Sequence, residues 1–169
     1  MMIQRLSDRL AAMETLHEGY LQSDEFKELL FKSCHKVVAD LREEKATLFG
    51  DFLAGVALQE GVPSSDSYMM LEVLDKLELE HVALMVKMEP RTFDPREKER
   101  GWRADEEDLK QLEVDIDRFY LLSDYLSNLG LVSRLENFKV ETGQLFMWRE
   151  YYLSIFGKKL LDIIRSSQP

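Results

Sequence analysis

The stretch LVSRLENFKVETGQLFMWREYYLS, residues 131–154, decides the fold, because it interrupts a chain that otherwise reads as one helix after another. It is rich in aromatic and β-branched residues, and Glu141-Thr142-Gly143-Gln144 at its middle is turn chemistry. The expected element is a β-hairpin with strands near 132–140 and 146–153. Upstream, a helical pattern opens at Asp105 with the acidic run DEED, which suits a helix N-terminus. Leu109, Leu112, Ile116, Phe119, Leu122, Leu126 and Leu129 supply its buried face, as one helix or as two with a bend near Asp115–Asp117. Asn128 and Gly130 stop it. Downstream, a final helix over Phe156–Arg165 turns Leu160, Leu161, Ile163 and Ile164 inward.

Each junction has a physical reason. Gly130 turns helix into strand, Leu131 and Val132 anchor the first strand on the core, Leu153 closes the second, and Ser154 caps the last helix. The residues Leu126, Leu129, Gly130, Leu131, Val132, Tyr152, Leu153, Ser154, Gly157 and Leu161 resemble the recognition-helix end, wing and final helix of winged-helix proteins of the MarR and PadR type. The resemblance implies a winged-helix fold and DNA binding, with residues 117–128 in the major groove. The outward residues of such a helix are Arg118, Ser123, Asp124, Ser127 and Asn128. Base readout and phosphate docking favour Arg, Lys, Asn and Gln, whereas Asp117 and Asp124 repel phosphate. The wing offers Arg134, Lys139 and Arg149, interrupted by Glu136, Glu141 and Glu150. Phe138, Phe146 and Trp148 fit either a protein-contact surface or ordinary packing of the hairpin on the core.

The preceding segment, residues 89–104, reads as a polar, solvated linker with two prolines and a glycine. It is the one dense basic stretch, with Arg91, Arg96, Lys98, Arg100 and Arg103 around Trp102, nearly neutralised by Glu89, Asp94, Glu97 and Glu99. With Arg134, Lys139 and Arg149, these residues are the candidates for nucleic-acid or anion contact.

The N-terminal part reads as long antiparallel helices. Residues 2–20 carry a seam at Ile3, Leu6, Leu10, Met13, His17 and Tyr20, fit for packing within the chain or against a second copy as a homodimer. Ser23 caps a helix expected over 24–60, with a small-residue stripe at Ala46, Gly50, Ala54 and Ala57 and a stop at Gly61 and Pro63. The run SSDS at 64–67 opens the next helix, whose seam is Met70, Leu74, Leu77, His81, Leu84 and Met88. That helix is continuous or breaks near Glu78. These two central segments, through Leu74, Leu77 and Glu80, resemble bacterial all-helical families tied to phage abortive infection.

Composition narrows the functions. The net charge of −10 works against phosphate neutralisation, the main source of nucleic-acid affinity. One cysteine, Cys34, excludes an internal disulfide framework and a cysteine-rich zinc site. No apolar run reaches the ~20 residues of a membrane helix, and the charged N-terminus has no apolar signal core, so a cytoplasmic protein with no membrane partner is expected. Two Glu-x-x-His pairs, Glu14/His17 and Glu78/His81, raise a dimetal carboxylate site of the kind built in helical bundles, although a seam histidine is more often a hydrogen-bonded core residue. Cys34 and His35 diverge by ~100° on a helix and form no nucleophile pair. No phosphate-loop, dinucleotide or serine-nucleophile motif occurs.

The expectation is a mainly α protein. Helical residues 1–62 precede a winged-helix-like region, 63–169, with the polar linker 89–104 and one β-hairpin. Its expected function is non-enzymatic protein contact in a regulatory or phage-defence setting, with no cofactor. A DNA-binding regulator and a dimetal helical protein are the alternatives.

Overall fold

A computed structural model describes residues 2–11, 18–40, 42–59, 64–92 and 100–166. The protein is mainly helical with one antiparallel β-hairpin near its C-terminus. Two compact units part at residues 79/80 and 159/160: Met1–Leu79 with Leu160–Pro169, and Glu80–Lys159. Their composition differs from the 62/63 division read from the sequence, because α5 (Ser64–Lys76) packs on α3 (Asp24–Asp40) in the first unit.

The first unit is organised around α4 (Glu43–Leu58). Its residues Ala46, Leu48, Phe49, Phe52, Leu53, Ala54, Val56 and Ala57 are all buried, so the helix is covered all round. α1 (Met2–Ala11) and α3 pack against it. Among the described side chains of α1, Met2 and the seam residue Leu6 are buried, whereas Ile3 of that seam is 63% exposed; the Leu10 side chain lies outside the described residues. The short α2 (Glu18–Leu21) follows, while Met13 and His17 of that seam lie outside the described residues.

The helix expected over 24–60 is two helices. Arg42 adopts an extended backbone (φ −84°, ψ 134°) between α3 and α4. A helix needed on every side cannot continue in line with α3, which has a solvent face. The chain therefore folds back, and Arg42 is ion-paired with both Asp40 and Glu78. Glu43 and Glu44 in the first turn of α4 favour the new start. Lys45 is buried, and its ammonium donates to the Leu74 and Asp75 carbonyls at 3.2 and 2.6 Å, satisfying the C-terminal end of α5. Burial pulls its pKa below the usual lysine value, against the opposing pull of Glu78 and Asp40.

In the same way the next expected helix breaks at Leu77–Glu78, giving α5 and α6 (Leu79–Met88). After a 3-10 turn at Glu89–Arg91 come α7 (Glu106–Leu112) and α8 (Ile116–Asn128). Glu113 sits in the left-handed region (φ 52°, ψ 48°) and ends α7, while the Asp115 carboxylate accepts the Arg118 N–H at 2.8 Å and caps α8. The bent alternative for 105–129 is thus the one observed.

Strands β1 (Val132–Glu141) and β2 (Gln144–Leu153) pair from Val132↔Leu153 to Glu141↔Gln144. Thr142 (φ 49°) and Gly143 (φ 80°) form a two-residue loop with positive φ at both positions, the type I′ geometry that matches strand twist. The strands run closer to the turn than expected from sequence. The junctions follow the expected chemistry: Ser154 Oγ accepts the Gly157 N–H at 2.9 Å at the start of α9 (Ile155–Ser166), and donates to the Gly130 carbonyl at 2.7 Å. The base of the hairpin enters the core of the second unit through Leu131, Val132, Tyr151 and Leu153, with Phe119, Leu122 and Leu126 from α8.

In the first unit Gly55 on α4 meets the Ile163 backbone of α9, and an added Cβ would stand 1.8 Å from the Ile163 carbonyl oxygen. Glycine to alanine within a helix normally stabilises by ~1 kcal/mol. Here the clash is with backbone and wins. Gly55→Ala is expected to lower stability by about 1–3 kcal/mol, read as a reduced urea midpoint with unchanged m-value.

Candidate functional site

The basic segment is the first place to look for a site, and the structure spends its charge internally. Asp108, on the first turn of α7, is fully buried. Its carboxylate accepts from Arg91 at 2.8 Å, from Arg100 at 2.9 Å and from the Arg103 backbone N–H at 2.7 Å. The Arg91 guanidinium also lies 3.9 Å above the Trp102 ring. Arg100 further contacts Asp105, and Arg103 is ion-paired with Glu150. Trp102 itself is buried, exchanges both backbone hydrogen bonds with Tyr151 at 2.9 Å, and donates its indole N–H to the Met88 carbonyl at 3.1 Å. Residues 100–103 are therefore laid along β2 as a built part of the second unit, which corrects the expectation of a solvated loop there. Arg96 and Lys98 lie outside the described residues.

On the hairpin, Arg134 reaches Asp124 at 3.3 Å, Arg149 reaches Asp124 at 3.6 Å and Glu136 at 3.5 Å, and Lys139 is ion-paired with Glu141. Each described cation among the nucleic-acid candidates faces a carboxylate. On α8, Ser123 is fully buried rather than outward, Asp124 accepts the Tyr151 hydroxyl at 2.8 Å, and Arg118 is ion-paired with Glu80. Burial first, then the Asp124 carboxylate, pushes the Tyr151 hydroxyl up to about 12.

The metal candidates separate in kind. Glu14 and His17 lie outside the described residues. Glu78 falls in the break before α6 and is ion-paired with Arg42, so the one-turn helical spacing that would join it to His81 is lost. His81 is buried with its ring 4.7 Å from that of Tyr125. Among the described residues no three His, Cys, Asp or Glu side chains converge. His35 packs edge-on to Phe31 at 4.5 Å, and burial raises the neighbouring Cys34 thiol above its usual pKa.

What stands out lies at the far end of the hairpin. The register pairs Phe138 with Met147 and Val140 with Leu145. Because side chains alternate along a strand, these four share one face. They are exposed by 74, 68, 65 and 60% respectively. The next pair on that face is Glu136 and Arg149, and beyond it Tyr151 enters the core. A depression of about 270 Å³ between Tyr120 and Glu136, Met147, Trp148 and Arg149 adjoins the apolar residues. On the opposite face Phe146 is 47% exposed, while Trp148 is partly covered and donates to Glu150 at 3.2 Å. Of the aromatic candidates, Phe138 and Phe146 are thus open to solvent. Val140, Leu145 and Met147 had no part in the sequence expectation, and their signal was the alternation counted outward from a two-residue turn.

Comparison of the chain with family models, with curated proteins and with solved structures finds no match.

Glu150 supplies a pH-dependent element. Burial alone would raise its carboxyl pKa, but hydrogen bonds from Arg103, Tyr152 and Trp148 outweigh it and hold the group below the ordinary 4.5. A carboxylate with a lowered folded pKa adds stability that is present above the ordinary value and lost as pH falls through the folded one. Wild-type stability is therefore expected to fall faster below about pH 4.5 than that of Glu150→Gln, checked by urea unfolding at a series of acidic pH values. Parallel curves would sink the assignment.

Proposed function

We propose that the protein is a non-enzymatic interaction module whose contact surface is the outer half of the hairpin. The carrying observation is the exposed apolar face of Phe138, Val140, Leu145 and Met147. Side chains exposed to this degree present on the order of 400–500 Å² of contiguous apolar surface, a size associated with interaction sites. Burying that area is worth roughly 10 kcal/mol before the entropic costs of association. The order helix, hairpin, helix over α8, β1, β2 and α9 supports the winged-helix-like scaffold, and a regulatory role is in keeping with it. A DNA-binding role has less support, since the described candidate cations each face a carboxylate. No helix among the described residues is long and apolar enough to cross a membrane.

The test is site-specific photo-crosslinking in the native cells. A benzophenone side chain at Phe138 is expected to give a covalent protein adduct, and one at the exposed Asp162 of α9 is not. No adduct from Phe138, or equal yields from both sites, would overturn the reading. Duplex DNA at low salt is expected to show no retardation by the protein. A shift that fades as salt rises would instead carry the DNA-binding alternative.

A further inference from the structure

We infer that the partner of the hairpin face is a second copy of this chain, a step that rests on the contact surface proposed above. The first argument is electrostatic. Residues 132–153 hold three basic residues (Arg134, Lys139, Arg149) and three acidic ones (Glu136, Glu141, Glu150), so the hairpin has no net charge and the chain's −10 lies elsewhere. Two acidic copies repel one another, and the ribbon, being neutral, adds nothing to that repulsion. A foreign partner selected by the acidity of the chain would be basic, and this face offers it no excess of negative charge.

The second argument is shape and area. The apolar patch consists of two cross-strand pairs, Phe138↔Met147 and Val140↔Leu145, on one face of a two-stranded sheet. Such a face is complementary to itself under a two-fold rotation, the commonest symmetry of soluble assemblies. Two patches together remove about 800–1,000 Å² from water, the size of a weak, reversible interface. An axis running across the strands stacks the patches with the strands reversed, which carries the bases of the two hairpins, and the second units they belong to, to opposite ends of the paired ribbons. Like-charge repulsion is smallest in that arrangement.

The third argument concerns position. Thr92 and Trp102 bridge Leu153 and Tyr151 at the base of β2, whereas beyond those bridges no other strand joins the sheet among the described residues. The base is therefore committed to the fold, and the patch can be altered without touching it.

Sedimentation velocity of the full chain tests the inference, from about 5 to about 500 µM, where interfaces of this size dissociate. Wild type is expected to shift with concentration from one 19.8 kDa chain toward two. Added salt should strengthen the shift or leave it unchanged, since it screens repulsion between acidic copies. Phe138→Thr/Met147→Thr, which keeps strand propensity and removes the apolar surface, is expected to stay monomeric, with the thermal midpoint of wild type at the dilute end of the range. Should that variant lose its fold, Val140→Thr/Leu145→Thr makes the same test on the neighbouring pair. A wild type that stays monomeric overturns the inference, as does a dimer that survives in the folded variants. Photo-crosslinking then separates the failures: a monomer whose Phe138 probe captures a different protein leaves the contact surface standing, and a monomer whose probe captures nothing removes both.

Discussion

Asp108 is the residue around which the second unit is arranged. A carboxylate removed from water costs several kcal/mol unless its charge and lone pairs are met. Here it is met by two guanidinium groups and a backbone N–H from a segment several residues earlier in the chain. That demand fixes Arg91, Arg100 and Arg103 in place, and with them Trp102, whose backbone pairs with Tyr151 of β2. Arg91, Arg100 and Arg103, which look available in the sequence, are thus structural ligands of one buried acid and of Glu150. Cations held this way gain little by exchanging their carboxylates for phosphate, and the long-range repulsion of a chain at −10 adds to that cost.

The first unit meets a different constraint, that of a helix with no solvent side. Lys45 and Asp51 are buried on α4 among apolar residues. Lys45 is accommodated because its ammonium takes up the Asp75 carbonyl at the end of α5 and shares the Leu74 carbonyl with the Leu77 N–H. Packing is close enough at Gly55 that the backbone of α9 occupies the space of a side chain.

The hairpin was legible because its signals are local. Turn chemistry at Thr142-Gly143, a glycine after α8 and a serine cap before α9 each act over a few residues. The break at Arg42 was not legible, because Asp40-Leu41-Arg42-Glu43-Glu44 contains neither proline nor glycine. Tertiary burial of α4 overrides helix propensity there. The role of residues 100–103 was hidden for a related reason: the acids nearest in sequence are Glu99 and Asp105, while the partners seen in space include the more distant Asp108 and Glu150. Within the hairpin, Phe138 could be named from residue type. Its companions on the same face could be named only once the register was known.

That register hangs on a loop of two residues. Side chains alternate with a period of two, so one residue added between Thr142 and Gly143 would slide one strand past the other by a single step. Val140 and Phe138 would then stand opposite residues of the other face, Phe138 against Phe146 or Trp148, and the oily quartet would be dealt out between two sides of the ribbon. A glycine that touches none of those four side chains thereby governs whether they form a surface at all.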